Sequence, residues 1–268
     1  MNDKAIVSLV IGEETRNMFD SHFKSSWELY AAKHGYDIVL IDKPIDMTSP
    51  AWERTPHWQK CLVLEHEKVR PYERVVWIDA DIAINHFSAP SIIDTVEAGR
   101  IGVVGYLRGS AAVETYREAE LPDDVDMFAN TGVIVLEPEK DRDLMRHVYD
   151  TCVESPKSGK ENVPLSYHLF KSGRAVELDP RFNVDWSNEI HTKFRFLYNT
   201  THPLRDLMAA YCVHTAWYDS YFLHFINQTL DGIGEDGEII YSHNTRQDMK
   251  LLTTDIQDPR WLVVNIQQ

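Results

Sequence analysis

The chain has 268 residues, and its 27 lysines and arginines against 42 aspartates and glutamates leave a formal charge of −15. That excess argues against a nucleic-acid backbone or an anionic membrane as partner, since both are gripped by basic patches, and a small anionic ligand would need a metal ion or a few local cations to hold it. A hydrophobic share of 43% and a charged share of 26%, with 12 Gly and 12 Pro, exclude disordered and collagenous classes and suit one large globular domain.

In chain order, Ala5 to Ile11 is a nearly continuous apolar run ending at Gly12, the pattern of a strand buried on both faces of a parallel sheet. Thr15 is placed to cap one helix carrying Met18, Phe23, Trp27, Leu29 and Tyr30 on its apolar side, with Gly35 as its C-terminal stop. Asp37 to Ile41 is the next strand, so the opening reads as a right-handed βαβ crossover and the fold class as α/β. A helix after Pro56 buries Trp58, Cys61, Leu62 and Leu64, with Glu65, Glu67 and Lys68 outside. Arg74 to Ile78 is a buried strand that stops at Asp79-Ala80-Asp81, and a second apolar group, Ile82 to Ile84, follows. Ile101 to Val104 and Val133 to Leu136 read as further strands, and Asp141 to Cys152 as a helix with Leu144, Val148 and Cys152 on one face. The aromatic-rich stretch from Arg181 to Phe225 carries no clear period.

Cys61, Cys152 and Cys212 are odd in number and match no zinc spacing, which reads as buried thiols in a reducing compartment. The first residues, Met1 to Ala5, lack a charged stretch followed by a long apolar one. The expectation is a cytoplasmic chain with no signal peptide and no membrane anchor.

Asp79 and Asp81 carry the chemistry. They stand at the carboxyl end of a strand, where open α/β sheets bind ligands, and apolar residues flank them on both sides. A divalent ion held by one or two carboxylates and completed by substrate phosphate oxygens is the usual arrangement at such a place. The competing reading is a pair of solvated turn residues.

Val75-Val76-Trp77-Ile78-Asp79-Ala80-Asp81 resembles the Asp-x-Asp strand of glycosyltransferases with the GT-A fold, within the galactomannan galactosyltransferase, xyloglucan xylosyltransferase and yeast mannan-transferase family. Other pieces occur in the family's order: Tyr30 to Tyr36, Trp58-Gln59-Lys60, Asn130-Thr131-Gly132, Glu161-Asn162, Pro180-Arg181-Phe182-Asn183 and Phe222-Leu223-His224-Phe225. The resemblance spans roughly residues 5 to 227. It implies a single GT-A domain with a Rossmann-like, mainly parallel central sheet flanked by helices. The nucleotide-sugar half would run to about residue 105, the acceptor half over about 106–235, and a C-terminal extension over about 236–268.

What it implies further is a metal-dependent hexosyl- or pentosyltransferase. The sugar would move from a nucleotide-diphosphate donor, UDP-linked by preference or GDP-linked, to a glycan or glycoconjugate acceptor, with retention of anomeric configuration. Asp81 would ligate the metal, Mn2+ by preference or Mg2+. Asp79 would contact the ribose or the metal through water, and His224 would complete the protein ligands, with His214 as the rival histidine. Val10, Ile11 and Gly12 would lie beside base and ribose, together with Ala80, and Lys60 would reach a phosphate. Asn130, Thr131 and Gly132 would face sugar hydroxyls, while Glu161 and Asn162, with Asn130, would line the reacting carbon. The family's Glu-Gln-Asp is Glu161-Asn162-Val163 here, so one carboxylate is absent and front-face attack is the expected route rather than double displacement.

Each residue has a plainer reading: a turn glycine at Gly12, a solvated helix lysine at Lys60, an Asx-turn at Asn130, a helix cap at Glu161 and Asn162, and a core histidine at His224. Among whole functions, a haloacid-dehalogenase-like phosphatase also uses Asp-x-Asp, but Ala83 stands where its motif has Thr or Val, and Asp123-Asp124 falls in a polar loop. A nucleotidyltransferase lacks its Gly-rich basic loop, since Glu13 and Glu14 follow the first strand. A carbohydrate-binding domain without turnover would stack sugars on Trp52, Trp58, Trp186 or Trp217, for which burial in the core is the competing reading.

Overall fold

The computed structural model describes residues 2–48, 55–154, 160–198, 202–227, 229–233 and 239–252. The chain divides into two compact units, one of residues 1–16, 34–80 and 91–180, the other of 17–33, 81–90 and 181–268.

The first unit is built on a six-stranded sheet of order β2-β1-β3-β6-β5-β7. Its strands are β1 (Lys4–Leu9), β2 (Asp37–Ile41), β3 (Arg74–Ile78), β5 (Ile101–Arg108), β6 (Met127–Leu136) and β7 (Ala175–Glu177). The apolar runs Ala5-Ile6-Val7 and Val75-Val76 are fully buried because β1 and β3 are interior strands covered on both faces. β1 pairs in parallel with β2 and β3, and β5 with β7, whereas β6 runs antiparallel to both β3 and β5. Helices α3 (Ser110–Glu118), α4 (Pro138–Thr151) and α5 (Asn162–Lys171) flank this sheet. α4 starts on Pro138 at its first position, where the missing N–H costs nothing, and Asp141 Oδ2 accepts from the Glu137 amide at 2.6 Å.

The segment predicted as a helix after Pro56 is a ten-residue 3-10 helix, Pro56–Glu65. It packs against α4, and every residue from Trp58 to Leu64 is buried, Gln59 and Lys60 included. A solvated outer face exists only at its ends. β6 is longer than the predicted strand, and its pairing with β5 jumps from Val103↔Ile134 to Val104↔Asn130. The residues between, Thr131 to Val133, form a bulge.

The second unit is held by aromatic packing. α1 (Glu13–His22) and α2 (Lys24–His34) replace the single predicted helix, with the break at Phe23 secured by Ser26 Oγ donating to the Phe23 carbonyl at 2.7 Å. Thr15 lies inside α1 rather than capping it, β1 ends at Leu9 rather than Ile11, and Leu29 is 50% exposed. Gly35, with φ +70°, ends α2 as expected. The fully buried rings of Phe19, Phe23, Trp27, Tyr30, Phe182, Trp186, Phe222 and Phe225 form the core of this unit. Phe19 meets Trp27 edge-on with centroids 5.0 Å apart, and Tyr30 meets Phe222 at 5.5 Å.

The stretch without a period resolves into a 3-10 turn (Pro180–Asn183), β8 (Val184–Asp185), α6 (Trp186–Thr192), α7 (Arg205–Asp219) and β9 (Phe222–His224). β9 lies between β8 and β4 (Ile82–Ile84) in a three-stranded sheet. A β10 (Thr229–Ile233) and β11 (Ile239–Asn244) hairpin leads to a final 3-10 helix, Thr245–Leu251. Cys61, Cys152 and Cys212 are free thiols, buried as expected at Cys61 and Cys212 but only half-buried at Cys152, the residue after α4, and among the described residues no helix is long and apolar enough to cross a membrane.

Candidate functional site

In the first unit the hub is Lys60. Its ammonium lies 2.8 Å from Glu161 Oε1, 3.1 Å from Asp79 Oδ1 and 3.1 Å from the Thr131 carbonyl, three oxygens for three protons. Burial works against the charge, but Asp79 and then Glu161 outweigh it, so Lys60 stays protonated well above the ordinary lysine range. Burial also pushes the Glu161 carboxyl up, and Lys60 more than reverses this, leaving it below the usual carboxylate range.

The same network fixes its neighbours. The Asp79 amide donates to the Gly132 carbonyl at 2.8 Å, and Asp79 Oδ1 also accepts from Trp77 Nε1 at 2.8 Å. The bulge in β6 turns Thr131 towards α5, where its amide and hydroxyl both donate to Asn162 Oδ1, at 2.8 and 2.7 Å. Glu161 and Asn162 therefore make no side-chain cap for α5, against the plainer expectation. The plainer reading does hold for Asn130, whose Oδ1 accepts from the Gly132 amide at 2.9 Å as an Asx-turn does.

In the second unit the hub is Asp81. Antiparallel pairing sets His224 of β9 opposite Ile82, and the Phe225 amide donates to the Asp81 carbonyl at 2.9 Å. His224 Nε2 thereby lies 3.2 Å from Asp81 Oδ1, and Arg246 Nη2 lies 2.9 Å from Asp81 Oδ2. Burial raises the Asp81 carboxyl, but His224 and then Arg246 together hold it below the usual carboxylate range. His224 Nδ1 lies 2.9 Å from Asn183 Oδ1, an oxygen that only accepts, so Nδ1 donates there and Nε2 is the nitrogen turned towards Asp81. An imidazole nitrogen and a carboxylate oxygen 3.2 Å apart share a proton or a cation between them. A carboxylate and an imidazole so placed, Asp81 and His224 of the second unit, are a donor pair that a divalent ion can take.

The other expected residues fall as follows. Val10 is buried and its amide donates to the Ile41 carbonyl at 2.9 Å, while Ile11 is half-buried. Gly12 is exposed, has φ +87°, and has no atom within 4 Å of where a Cβ would stand, so the backbone conformation rather than crowding requires glycine there. Ala80 is half-buried between the two aspartates. His214 sits on α7 with Nε2 3.2 Å from the Leu251 carbonyl, so it is His224 that lies against Asp81. Trp58, Trp186 and Trp217 are buried and offer no stacking face, and Trp52 lies outside the described residues. Arg181 lies over the Tyr221 ring, 4.1 Å from its centroid. Sequence reasoning missed two partners. Asn183 was visible only as part of a matched motif, and Arg246 gave no signal at all.

No protein-family model matches the chain, and no curated protein sequence matches it. Among solved structures it resembles a glycosyltransferase involved in the glycosylation of the major capsid of PBCV-1, at 16% identity and a TM-score of 0.54 over 92% of this chain and 98% of that one. It also resembles the galactosyltransferase LgtC, solved in complex with donor and acceptor sugar analogs, at 13% identity and a TM-score of 0.50 over 97% of this chain and 99% of that one. The chain has the GT-A fold, an α/β architecture with a mainly parallel central sheet flanked by helices. That fold gives the phosphatase alternative no support. The narrower family suggested by the motifs goes beyond what these likenesses show.

Proposed function

We propose that this chain is a metal-dependent glycosyltransferase that moves a sugar from a nucleotide-diphosphate donor, UDP-linked by preference, to a carbohydrate acceptor with retention of configuration. The observation that carries the reading is the carboxylate pair and its histidine. Asp79 and Asp81 are separated by one residue, which keeps their Cα atoms within about 7 Å by covalent geometry alone, and His224 stands against Asp81.

Asp81 and His224 would hold the ion, with Asp79 contacting it through water or taking the donor's ribose. When bound, a divalent ion such as Mn2+ supplies Lewis-acid stabilisation of the negative charge that develops on the diphosphate leaving group. Asn183, by fixing the tautomer of His224, is a positioning residue. Lys60 is one too, because its three protons are engaged by protein oxygens; it would set Asp79 and Glu161 rather than grip phosphate. Gly12, with the backbone of Val10 and Ile11 and with Ala80, would border the base and ribose. Asn130, Thr131, Gly132 and Asn162 would border the donor sugar. Glu161, tied to Lys60, is a poor nucleophile, which supports front-face attack: the acceptor oxygen bonds to the anomeric carbon as the bond to the diphosphate breaks, and a diphosphate oxygen takes the acceptor's proton.

Titration calorimetry with UDP and with GDP, each with and without Mn2+, tests this. Metal-dependent binding of one nucleotide, weakened more than about tenfold in Asp81→Ala, is expected. Binding indifferent to metal, or unchanged in Asp81→Ala, overturns the reading. Inverted anomeric configuration of the product by NMR overturns the mechanism alone.

A further inference from the structure

The carboxylate assigned above to the metal already has a cation on it. Arg246 Nη2 lies 2.9 Å from Asp81 Oδ2, and with His224 Nε2 3.2 Å from Oδ1 both oxygens of Asp81 are engaged. The guanidinium is delivered by a built platform. Asn244 accepts from the Arg246 amide at 3.0 Å, the fully buried Thr245 donates to the Ile226 carbonyl at 2.7 Å, and the buried Asp248 accepts from Trp186 Nε1 at 2.9 Å and lies 3.2 Å from Arg205. A second observation points to a ligand. Arg246 Nε is buried yet has no hydrogen-bond partner among the described residues. A buried N–H left unpaired is costly and uncommon, and beside a guanidinium edge an oxyanion would satisfy it.

We propose that Arg246 is a resident counterion of Asp81 that a divalent ion displaces, and that metal entry thereby frees the guanidinium to bind the diphosphate arriving with the metal. The inference rests on the metal reading of Asp81. It makes the two events a cation exchange: Asp81 trades an internal cation for an external one, and Arg246 trades a carboxylate for a phosphate oxygen. Metal entry alone leaves the site with the ion's positive charge uncompensated, and the diphosphate removes that surplus, which couples their binding.

The test measures Mn2+ affinity without nucleotide, by the electron paramagnetic resonance signal of free Mn2+, and then UDP affinity at saturating Mn2+, in the wild type and in Arg246→Gln and Arg246→Lys. The two readouts should move in opposite directions. Arg246→Gln is expected to bind Mn2+ about tenfold more tightly and UDP about tenfold more weakly, with Arg246→Lys between it and the wild type. A merely structural role would weaken both, and a role confined to phosphate would leave Mn2+ affinity unchanged; either result overturns the proposal. Asp81→Asn separates it from the reading beneath it. If the wild type binds Mn2+ and Asp81→Asn does not, the metal site stands whatever Arg246 does. Absence of Mn2+ binding in both the wild type and Arg246→Gln overturns both.

Discussion

Lys60 shows how much one residue organises. Its ammonium is buried against two carboxylates, and removing one partner of a buried ion pair costs about 3–5 kcal/mol because the other charge is left uncompensated. Lys60→Met should therefore lower stability by about 3 kcal/mol at neutral pH, and the loss should depend on pH with a definite sign. In the wild type the depressed Glu161 carboxyl contributes stability that is fully present above its unfolded value, about 4.3, and is lost as pH falls through the lower folded value. Without Lys60, burial is the largest influence left on Glu161, ahead of the lowering by His57 and a backbone hydrogen bond, and it raises the carboxyl, so the folded variant holds a proton that the unfolded chain releases. Its deficit relative to the wild type at the same pH should then shrink as pH drops from 7.5 to 5. Urea midpoints at the two pH values decide the matter, and a deficit that grows towards pH 5 contradicts the assignment. Asp79 and Asp81 were legible in the sequence because carboxylates amid apolar residues call for an explanation. Lys60's true partners were not, since Glu161 lies 101 positions away. Arg246, 165 positions from Asp81, lay beyond any local pattern.

At the scale of elements, the bulge in β6 and the start of α5 work as one joint. Thr131 is fully buried, and its amide and hydroxyl share the single acceptor Asn162 Oδ1. Asn162→Ala strands both donors and should cost about 2 kcal/mol, while Thr131→Val removes one of them and should cost about 1 kcal/mol. The double variant should cost clearly less than the sum, because the two changes delete a shared interaction. Additive losses in denaturant titrations would show that the joint does not exist. Periodicity found β1, β2, β3 and the Val133–Leu136 end of β6, because long apolar runs flanked by turn residues leave few alternatives. It did not reveal that β6 runs antiparallel between β3 and β5, since strand direction leaves no trace in a local pattern of buried residues. Nor did it reveal β4, β8 and β9 as a sheet. Strands of two or three residues carry no period, and their pairing depends on partners far along the chain.

For the whole molecule, the charge of −15 sets the long-range field while a few side chains set the local one. Lys60 is neutralised by Asp79 and Glu161, and Arg246 by Asp81, so neither cation projects a free charge while the ligands are absent. A nucleotide diphosphate approaching from solution should then meet net repulsion and a divalent cation net attraction. Salt screens both, with a Debye length of about 30 Å at 0.01 M and about 8 Å at 0.15 M. Raising NaCl across that range should speed the association of the negatively charged UDP–Mn2+ complex with the metal-free protein by about two- to threefold and weaken the binding of Mn2+ alone, the opposite of the salt dependence of a phosphate-gripping basic protein. Stopped-flow association rates at several salt concentrations give the first quantity, and titration of free Mn2+ gives the second. If UDP association slows with salt instead, a positive local potential governs the encounter, and the acidic surface has no part in making the bound cation necessary.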